Sequence, residues 1–379
     1  MVLYFSSAIS NDRFDEAVKH KLIIGGFQAQ RFNTLLINGL SKYDEVKVIS
    51  NPPYTKQREK YVSKCGNITY FESGMPKYKW CRKINNISTM LKFSLIFGRK
   101  KTNVIIVDSI NLGAIFVAKI VGWITGIPVT GIITDIPEIM NKGKMDIFSK
   151  LDSWLIRSLN GYVLLTEAMN ALVNKHDRPF IVMEGLCEFN QTYQETITKS
   201  LKNKVCLYSG SLNRSTGIET LVQSFMLPVL SKIELHIYGA GNYAEELKMI
   251  SLENPNIKYF GVESNTTVIN KQKSANLLIN PRPSNIYYGA YSFPSKLMEY
   301  MASGTPVLTT KLPGIPLEYY DYLHVIIDET PEGFASAITE ALNKNEQIGK
   351  DAQAFVFAYK NNINQAERVY SFSKSLFSI

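Results

Sequence analysis

Strands and helices alternate along this chain in a pattern that restricts its fold more than any other feature of the sequence. Val104 to Val107 is an almost continuous apolar run, which is typical of a strand buried on both faces. Residues 112–125 then show helical spacing, and Val129 to Ile133 has the composition of another buried strand. A strand, a helix and a strand at this separation predict the βαβ unit of a parallel sheet. The chain is therefore predicted to be an α/β protein.

The length of the chain and a polar stretch near its middle predict two domains. A chain of 379 residues is long for a single hydrophobic core. Residues 184–204 are polar and lack periodicity, as expected of a linker. We therefore expect an N-terminal domain, a linker, a C-terminal domain and a last helix that crosses back onto the N-terminal domain, with boundaries at 1–187, 188–204, 205–351 and 352–379.

A short helix with a marked start and end is predicted within residues 292–304. Pro294 suits a first helical turn, and Ser292 or Ser295 can cap the free amides there. Gly304 suits a left-handed helix end, and Pro306 prevents the helix from continuing.

Two charged side chains of this helix fit a nucleotide. Lys296 lies in the first turn, and Glu299 follows one turn later on the same face. A helix N-terminus beside a lysine attracts phosphate, and a carboxylate suits the two neighbouring hydroxyls of a ribose. These residues alone also fit an amphipathic helix whose Lys and Glu are simply solvated.

The sequence around this helix resembles the donor-binding region of the family 4 glycosyltransferases of GT-B fold. The family's segment Leu-Glu-Ala-Met-Ala-x-Gly-x-Pro-Val is matched by residues 298–307, which places the family's ribose-binding Glu at Glu299. The family's preceding Glu would fall at residue 291, where this chain has Tyr291. Asn280-Pro281-Arg282 followed by Ser-Phe-Pro-Ser-Lys is similar to bacterial polysaccharide-assembly transferases, which often lack that first Glu. The likeness is strong over residues 205–320 and thin before residue 130.

The resemblance implies two Rossmann-like domains with a central cleft and a metal-independent, retaining hexosyltransferase. The donor would be a nucleotide-sugar, with a UDP-sugar favoured, and no cofactor is implied. The acceptor would be a hydroxyl of a lipid-linked or growing bacterial surface glycan, such as a capsule, an exopolysaccharide or an O-antigen. Arg282 and Lys296 would stabilise the negative charge that develops on the leaving diphosphate.

The loop that should hold the donor diphosphate departs from the family pattern Gly-Arg-Leu-x3-Lys-Gly. The glycines match, but Ser211 and Thr216 replace the Arg and the Lys. Because a diphosphate needs cationic partners, nearby basic residues are expected to substitute for them. A Gly-Gly pair before the first long helix is either a second phosphate contact, as the resemblance implies, or only a turn. The candidate donor-binding residues are Gly25, Gly26, Ser209, Gly210, Arg214, Arg282, Ser295, Lys296 and Glu299.

Asp135 is the candidate for contact with the acceptor. It follows the strand 129–133, and ligands of parallel sheets lie beyond the carboxyl ends of the strands. Relatives commonly carry a His-Asp pair here, whereas this chain has Thr134 before Asp135. Asp135 could orient the acceptor hydroxyl or act as a base. The alternative is a loop carboxylate that caps the helix after Pro137.

Positive charge is concentrated in the N-terminal half of the chain. The net charge is +9, but residues 1–185 contain 25 Lys and Arg against 15 Asp and Glu, a net charge of +10. The most basic stretch, residues 75–101, interleaves lysines and arginines with aromatic residues, which fits either contact with an anionic membrane or a core helix with a solvated basic face. No nucleic-acid motif accompanies it, so no nucleic-acid partner is expected. The candidate membrane or acceptor surface is Lys77, Lys79, Arg82 and Lys83.

Composition bears on metal sites, compartment and membrane spans. The four cysteines show no metal-ligand spacing and are expected to be free thiols in a reducing compartment. The chain has no Asp-x-Asp motif, which argues against a metal-bridged nucleotide. We find neither a signal peptide nor an apolar run of roughly 18 residues, the length needed to span a bilayer. The expected location is cytoplasmic, peripheral at the inner face of the cell membrane.

Two other functions fit the sequence. A nucleotide-sugar epimerase on the same fold would act without an acceptor. A non-catalytic GT-B subunit that stabilises a partner transferase would explain Tyr291 and the missing Arg and Lys of the diphosphate loop.

Overall fold

The chain folds into two compact units. The computed structural model describes residues 1–23, 27–52, 54, 59–74, 82–101, 103–109, 112–140, 146–189 and 204–378. The N-terminal unit comprises Met1–Glu188 together with Asn361–Ile379, and the C-terminal unit comprises Phe189–Lys360.

The N-terminal unit is built on an eight-stranded sheet. The strand order is β3-β4-β2-β1-β5-β6-β7-β8, and every neighbouring pair is parallel except β3 with β4. Its elements are β1 (Val2–Ser6), α1 (Asn11–Lys19), α2 (Phe27–Leu40), β2 (Val46–Ser50), β3 (Tyr61–Cys65), β4 (Ile68–Glu72), α3 (Arg82–Lys101), β5 (Val104–Asp108), α4 (Leu112–Thr125), β6 (Val129–Ile133), α5 (Pro137–Met140), α6 (Ile147–Arg157), β7 (Gly161–Leu164), α7 (Ala168–Val173) and β8 (Phe180–Val182).

The predicted βαβ unit is present as β5, α4 and β6. Every residue of β5 and β6 is buried, as the apolar runs indicated. The helices α3 and α4 pack together, and α4 also contacts α6. Because parallel crossovers are right-handed, the connections from β4 to β5 and onward to β7 place these three helices on one face of the sheet. The connection from β1 to β2 runs the other way and places α2 on the opposite face.

The C-terminal unit has a six-stranded, fully parallel sheet of order β11-β10-β9-β12-β13-β14. This is the doubly wound order, in which the chain first builds outward on one side of β9 and then on the other. Its elements are β9 (Val205–Ser211), α8 (Ile218–Phe225), β10 (Glu234–Ala240), α9 (Ala244–Glu253), β11 (Ile257–Tyr259), α10 (Asn265–Ser274), β12 (Leu277–Asn280), α11 (Ser295–Ala302), β13 (Val307–Thr310), β14 (His324–Ile326), α12 (Pro331–Asn343) and α13 (Gln347–Tyr359).

The single helix predicted over 352–379 is two helices. The helix α13 ends at Tyr359, and a new helix, α14, runs from Asn362 to Ser375. Asn361 causes the new start, because its side chain accepts hydrogen bonds from the amides of Ile363 and Asn364, each at 2.9 Å. The helix α14 belongs to the N-terminal unit and packs on α2, where a Cβ on Gly39 would lie 2.1 Å from the Asn362 carbonyl oxygen.

Candidate functional site

The crevice between β9 and β12 marks the candidate donor site of the C-terminal unit. These two strands are neighbours, and the chain leaves them toward opposite sides of the sheet, which is where ligands of such sheets bind. The loop after β9 ends at Gly217, whose φ is +78°. A Cβ there would lie 1.8 Å from the carbonyl oxygen of Pro281, so only glycine allows the two loops to meet so closely.

The helix α11 starts with its first amides unsatisfied by any cap. It begins after Pro294 and is followed by Gly304 at φ +78°, as the sequence predicted. Capping by Ser292 or Ser295 was a wrong prediction, because the N-cap residue is Pro294 and no side chain bonds to the first turn. Ser292 instead accepts a hydrogen bond from Arg282 Nη1 at 3.4 Å. Among the described residues the amides of Ser295 and Lys296 have no partner, which suits an anion.

Glu299 is held between two donors on this helix and on α10. Its Oε1 accepts hydrogen bonds from Gln272 Nε2 at 2.7 Å and from Lys296 Nζ at 3.3 Å. The Glu299 side chain is 12% exposed and that of Lys296 is 31% exposed. The carboxylate is thus fixed in place but remains at the surface, where a ligand can reach it.

Gln272 and Tyr300 connect Glu299 to the end of β9. Gln272 is fully buried, and its Nε2 also donates to Ser209 Oγ at 3.1 Å. The Ser209 amide donates to the Tyr300 hydroxyl at 2.8 Å, and that hydroxyl donates back to the Ser209 carbonyl at 3.1 Å. Neither residue could be singled out from the sequence, because both act through contacts with residues distant in the chain.

Arg282 is a half-buried cation without a carboxylate partner. It follows β12 and lies over the face of Tyr288, with its Cζ 5.8 Å from the ring centroid. Burial lowers the pKa of the guanidinium, although Tyr288 and Tyr208 act against this. No described residue forms an ion pair with Arg282, so its charge is available to an anion from outside the chain.

Arg214 is already engaged. Its guanidinium forms ion pairs with Glu219 and Glu246 and lies 4.9 Å from the ring centroid of Tyr243. A contact with the donor would require Arg214 to leave these two carboxylates. Gly210, another of the predicted donor-binding residues, lies in β9 opposite Gly239 of β10. A Cβ added to Gly239 would lie 1.9 Å from the carbonyl oxygen of Gly210.

Asp135 lies in the N-terminal unit at the carboxyl end of β6. Its side chain is exposed and accepts a hydrogen bond from Thr134 Oγ1 at 3.4 Å. Although the residue is exposed, the surrounding protein partly desolvates the carboxyl and raises its pKa, and the hydrogen bond from Thr134 acts in the opposite direction. Among the described residues, no amide of α5 donates a hydrogen bond to the Asp135 side chain, so Asp135 does not cap this helix.

A second polar cluster that the sequence analysis missed lies where β1 and β5 are neighbours. Tyr4 Oη donates to Asn33 Oδ1 at 2.5 Å, and Asn33 Nδ2 donates to Asp108 Oδ2 at 2.8 Å. All three side chains are buried. Burial, and next the charge of Asp108, raise the pKa of the Tyr4 hydroxyl well above its usual value.

Several predicted residues lie outside the description. Gly25, Gly26, Lys77 and Lys79 are not among the described residues, and the side chains of Arg82 and Lys83 are not described either. Within the part of the chain that is described, no group of three His, Cys, Asp or Glu side chains is arranged to hold a metal ion. Of the described cysteines, Cys65 and Cys206 are free thiols.

Comparison with known proteins supports a transferase. Residues 203–344 match the family model described as glycosyl transferases group 1. No curated protein matches the sequence. The fold is similar to sucrose-phosphate synthase from Thermosynechococcus elongatus, with 12% identity, a TM-score of 0.71 and coverage of 100% of this chain and 99% of that one.

Two further solved structures share the fold over the whole chain. Anabaena Alr3699/HepE in complex with UDP-glucose is 14% identical with a TM-score of 0.64, and each chain is covered completely. WaaG, a glycosyltransferase involved in lipopolysaccharide biosynthesis, is 13% identical with a TM-score of 0.59, covering 98% of this chain and 99% of that one. These structures confirm the predicted GT-B fold of two Rossmann-like domains, and the family-model match places the glycosyl transferases group 1 similarity in residues 203–344 of the C-terminal unit.

Proposed function

We propose that this transferase moves a sugar from a UDP-sugar to a hydroxyl of a lipid-linked or growing bacterial surface glycan, with retention of configuration. The observation that carries the proposal is the position of Glu299 between Lys296 and Gln272, beside the uncapped start of α11. Alr3699/HepE, which has the same fold, was solved with UDP and with UDP-glucose, and this supports a UDP-sugar as donor.

Each part of the donor has a partner of suitable chemistry. The Glu299 carboxylate accepts hydrogen bonds from the ribose hydroxyls. The diphosphate lies against the amides of Ser295 and Lys296, the Lys296 ammonium and the Arg282 guanidinium. These cations and amides are in place before the reaction, so they stabilise the negative charge as it develops on the leaving diphosphate.

The transfer breaks the bond between the anomeric carbon and the diphosphate oxygen and forms one to the acceptor oxygen. The acceptor hydroxyl gives up a proton, and Asp135 is the group in the N-terminal unit that we assign to orient this hydroxyl or accept the proton. Its raised pKa brings it nearer to neutral pH, where a carboxylate is a more effective base. No covalent intermediate is assigned.

A lipid-linked acceptor implies work at a membrane surface, and we propose a peripheral location at the inner face of the cell membrane. None of the helices in the described residues has the length and apolar character needed to cross a bilayer. The net charge of +10 in residues 1–185 supports contact with anionic lipid.

The first experiment is a thermal-shift screen of the full chain with UDP, GDP, ADP, CDP and TDP. A ligand at about 100 times its dissociation constant adds roughly 2.7 kcal/mol to the free energy of unfolding. We expect a shift with UDP that Glu299→Ala removes and that the control Glu253→Ala, an exposed carboxylate at the end of α9, keeps. A shift with another diphosphate would replace UDP, and no shift with any of them would contradict the proposal.

A non-catalytic GT-B subunit is the second candidate. The observation in its favour is that Arg214, the only arginine of the diphosphate loop, is tied to Glu219 and Glu246. Such a subunit would bind UDP without releasing sugar from any UDP-sugar. An epimerase would convert the UDP-sugar without an acceptor, so analysis of the products separates the three functions.

A further inference from the structure

Two neighbouring helices of the N-terminal unit expose a surface of large apolar side chains. On α4 the exposed apolar residues recur at helical spacing, so they share one face, and on α6 they recur at i, i+4 and i+7. Trp123 is 86% exposed, Ile147 is 82% exposed and Trp154 is 63% exposed. We call this surface the aromatic face, and it consists of Phe116, Trp123, Ile124, Ile147, Leu151 and Trp154.

The two helices lie side by side, so the six residues belong to one region. The helix α4 connects β5 to β6, and α6 lies in the connection from β6 to β7 on the same face of the sheet. Lys119 of α4 donates from Nζ to the carbonyl of Ser158, the residue that ends α6, at 2.5 Å. The two helices also contact each other elsewhere.

The apolar character of α4 is not explained by the core of its own unit. Its inner face is already formed by Ala114, Ile115, Val117, Ala118 and Val121, all fully buried. The helix carries one charged residue, Lys119, in fourteen. A helix that is apolar all round is normally covered on all sides, and an exposed apolar patch of this kind marks a docking surface.

The positive charge near the aromatic face favours an anionic bilayer over a second copy of the chain as its partner. The helix α3, which packs beside α4, contains six Lys and Arg and no Asp or Glu in its twenty residues. A symmetric contact with a second copy would bring two such basic helices and two strongly basic halves together, which like-charge repulsion opposes. An anionic bilayer attracts the same charge, and tryptophan rings prefer the boundary between headgroups and acyl chains.

We infer that the aromatic face inserts into the interfacial layer of an anionic membrane, with the basic helix α3 beside it at the headgroups. The surface differs from the candidate basic residues of 77–83, and apolar burial rather than charge supplies most of its affinity. This inference rests on the proposed function for the lipid-linked acceptor, and it names the surface that would hold the protein at the membrane.

The test is sedimentation of the full chain with vesicles of phosphatidylcholine and phosphatidylglycerol, compared with pure phosphatidylcholine. We expect wild type to bind the anionic vesicles and Trp123→Ser/Trp154→Ser to bind roughly tenfold or more weakly, since burial of the two rings is lost. The matched control is Leu252→Ser/Ile327→Ser, which removes two equally exposed apolar residues from the C-terminal unit and should bind as wild type does. Tryptophan fluorescence should shift to the blue on binding, because two of the three tryptophans lie on the face.

Three outcomes would overturn the inference. Wild type that ignores anionic vesicles, or a double variant that binds them undiminished, would do so directly. Wild type that dimerises and becomes monomeric only in the double variant, without binding vesicles, would assign the face to a second copy. The UDP thermal shift is measured on the same variants: a retained shift with lost vesicle binding separates this inference from the donor site, and a missing shift with intact vesicle binding contradicts the donor proposal alone.

Discussion

The two sheets contain the same kind of crevice but fill it with opposite chemistry. In the C-terminal unit the crevice between β9 and β12 is bordered by Arg282, by Lys296 and by the open amides of α11. In the N-terminal unit the corresponding position between β1 and β5 holds Tyr4, Asn33 and Asp108, which are uncharged or acidic. The same position in the two sheets therefore carries cations and open amides in one unit, and in the other a buried, hydrogen-bonded cluster of uncharged and acidic side chains.

This difference in charge is a physical reason, separate from any likeness, for our proposal that the diphosphate binds in the C-terminal unit. A nucleoside diphosphate placed near Asp108 would meet a buried carboxylate, and like charges in a poorly solvated site repel strongly. Near Arg282 it would meet a largely buried cation that forms no ion pair with any described residue. Asp135, at the carboxyl end of β6, adds a second carboxylate near the carboxyl ends of β5 and β6.

The largest effect is expected from Asp135→Asn. If Asp135 accepts the acceptor proton, the rate of transfer should fall roughly 10²- to 10⁴-fold, the usual contribution of a positioned base, while UDP affinity stays unchanged. The measurement is UDP release from the UDP-sugar with and without acceptor. In wild type the rate should rise with pH through the raised pKa of Asp135, because only the ionised form is a base. A variant that keeps both the rate and this pH limb would remove Asp135 from the mechanism.

The next largest effect separates the two crevices. Glu299→Ala should weaken UDP binding by roughly 1.5–3 kcal/mol, the worth of hydrogen bonds to a charged group, whereas Asp108→Asn should leave UDP affinity unchanged. Titration calorimetry measures both, and circular dichroism checks that each variant is folded. Equal losses would contradict the assignment of UDP binding to the C-terminal unit. A loss confined to Asp108→Asn would assign UDP binding to the N-terminal unit instead.

Much of this fold follows from local patterns. The strands β5 and β6 are apolar runs, and α11 is bounded by Pro294 and Gly304, so short-range physical chemistry identifies them. The strand β3 could not be predicted from an apolar pattern, because it is largely exposed and has no apolar face. The break before α14 depends on one side chain, Asn361, inside an otherwise helical stretch, and an Asn cap there is the signal that could have revealed it.

The site is harder to predict than the sheet. Lys296 and Glu299 are one turn apart on one helix, so their ion pair could be expected from spacing. The contact between Gln272 and Glu299 joins α10 to α11, and no pattern in either helix indicates it. The same holds for the pairing of Arg214 with Glu246, which depends on how the loop after β9 meets α9.

A smaller effect tests which part of the donor the start of α11 binds. Lys296→Ala should weaken binding of UDP by about 1–2 kcal/mol and that of uridine much less, because the ammonium contacts the diphosphate and not the nucleoside. Competition binding with UDP and uridine gives both values. The control is Lys344→Ala, which removes an exposed lysine paired with Glu340 at the end of α12. Equal losses for UDP and uridine would argue against a phosphate contact.

The smallest effect concerns Gln272, which we regard as positioning Glu299. Gln272→Met keeps the volume but removes the donor to Glu299 and Ser209. It also removes a buried carbonyl oxygen for which the described residues offer no partner. Removal of that unpaired acceptor offsets part of the lost hydrogen bonding, so the free energy of unfolding should change little. UDP affinity should fall by roughly 0.5–1.5 kcal/mol, since the carboxylate would lose the hydrogen bond that Gln272 donates to Oε1.

The control for this last change is a glutamine of α13 that contacts the C-terminal end of α11. Gln353 donates from Nε2 to the Ala302 carbonyl at 2.8 Å, so Gln353→Met removes a glutamine contact to α11 without touching Glu299. Isothermal titration with UDP should show a loss for Gln272→Met only, and none when Gln272→Met is added to Glu299→Ala, because the positioning effect needs the carboxylate. Equal losses in the two single variants would mean that Gln272 supports the helix as a whole. A further loss in the double variant would mean that Gln272 contacts the donor itself.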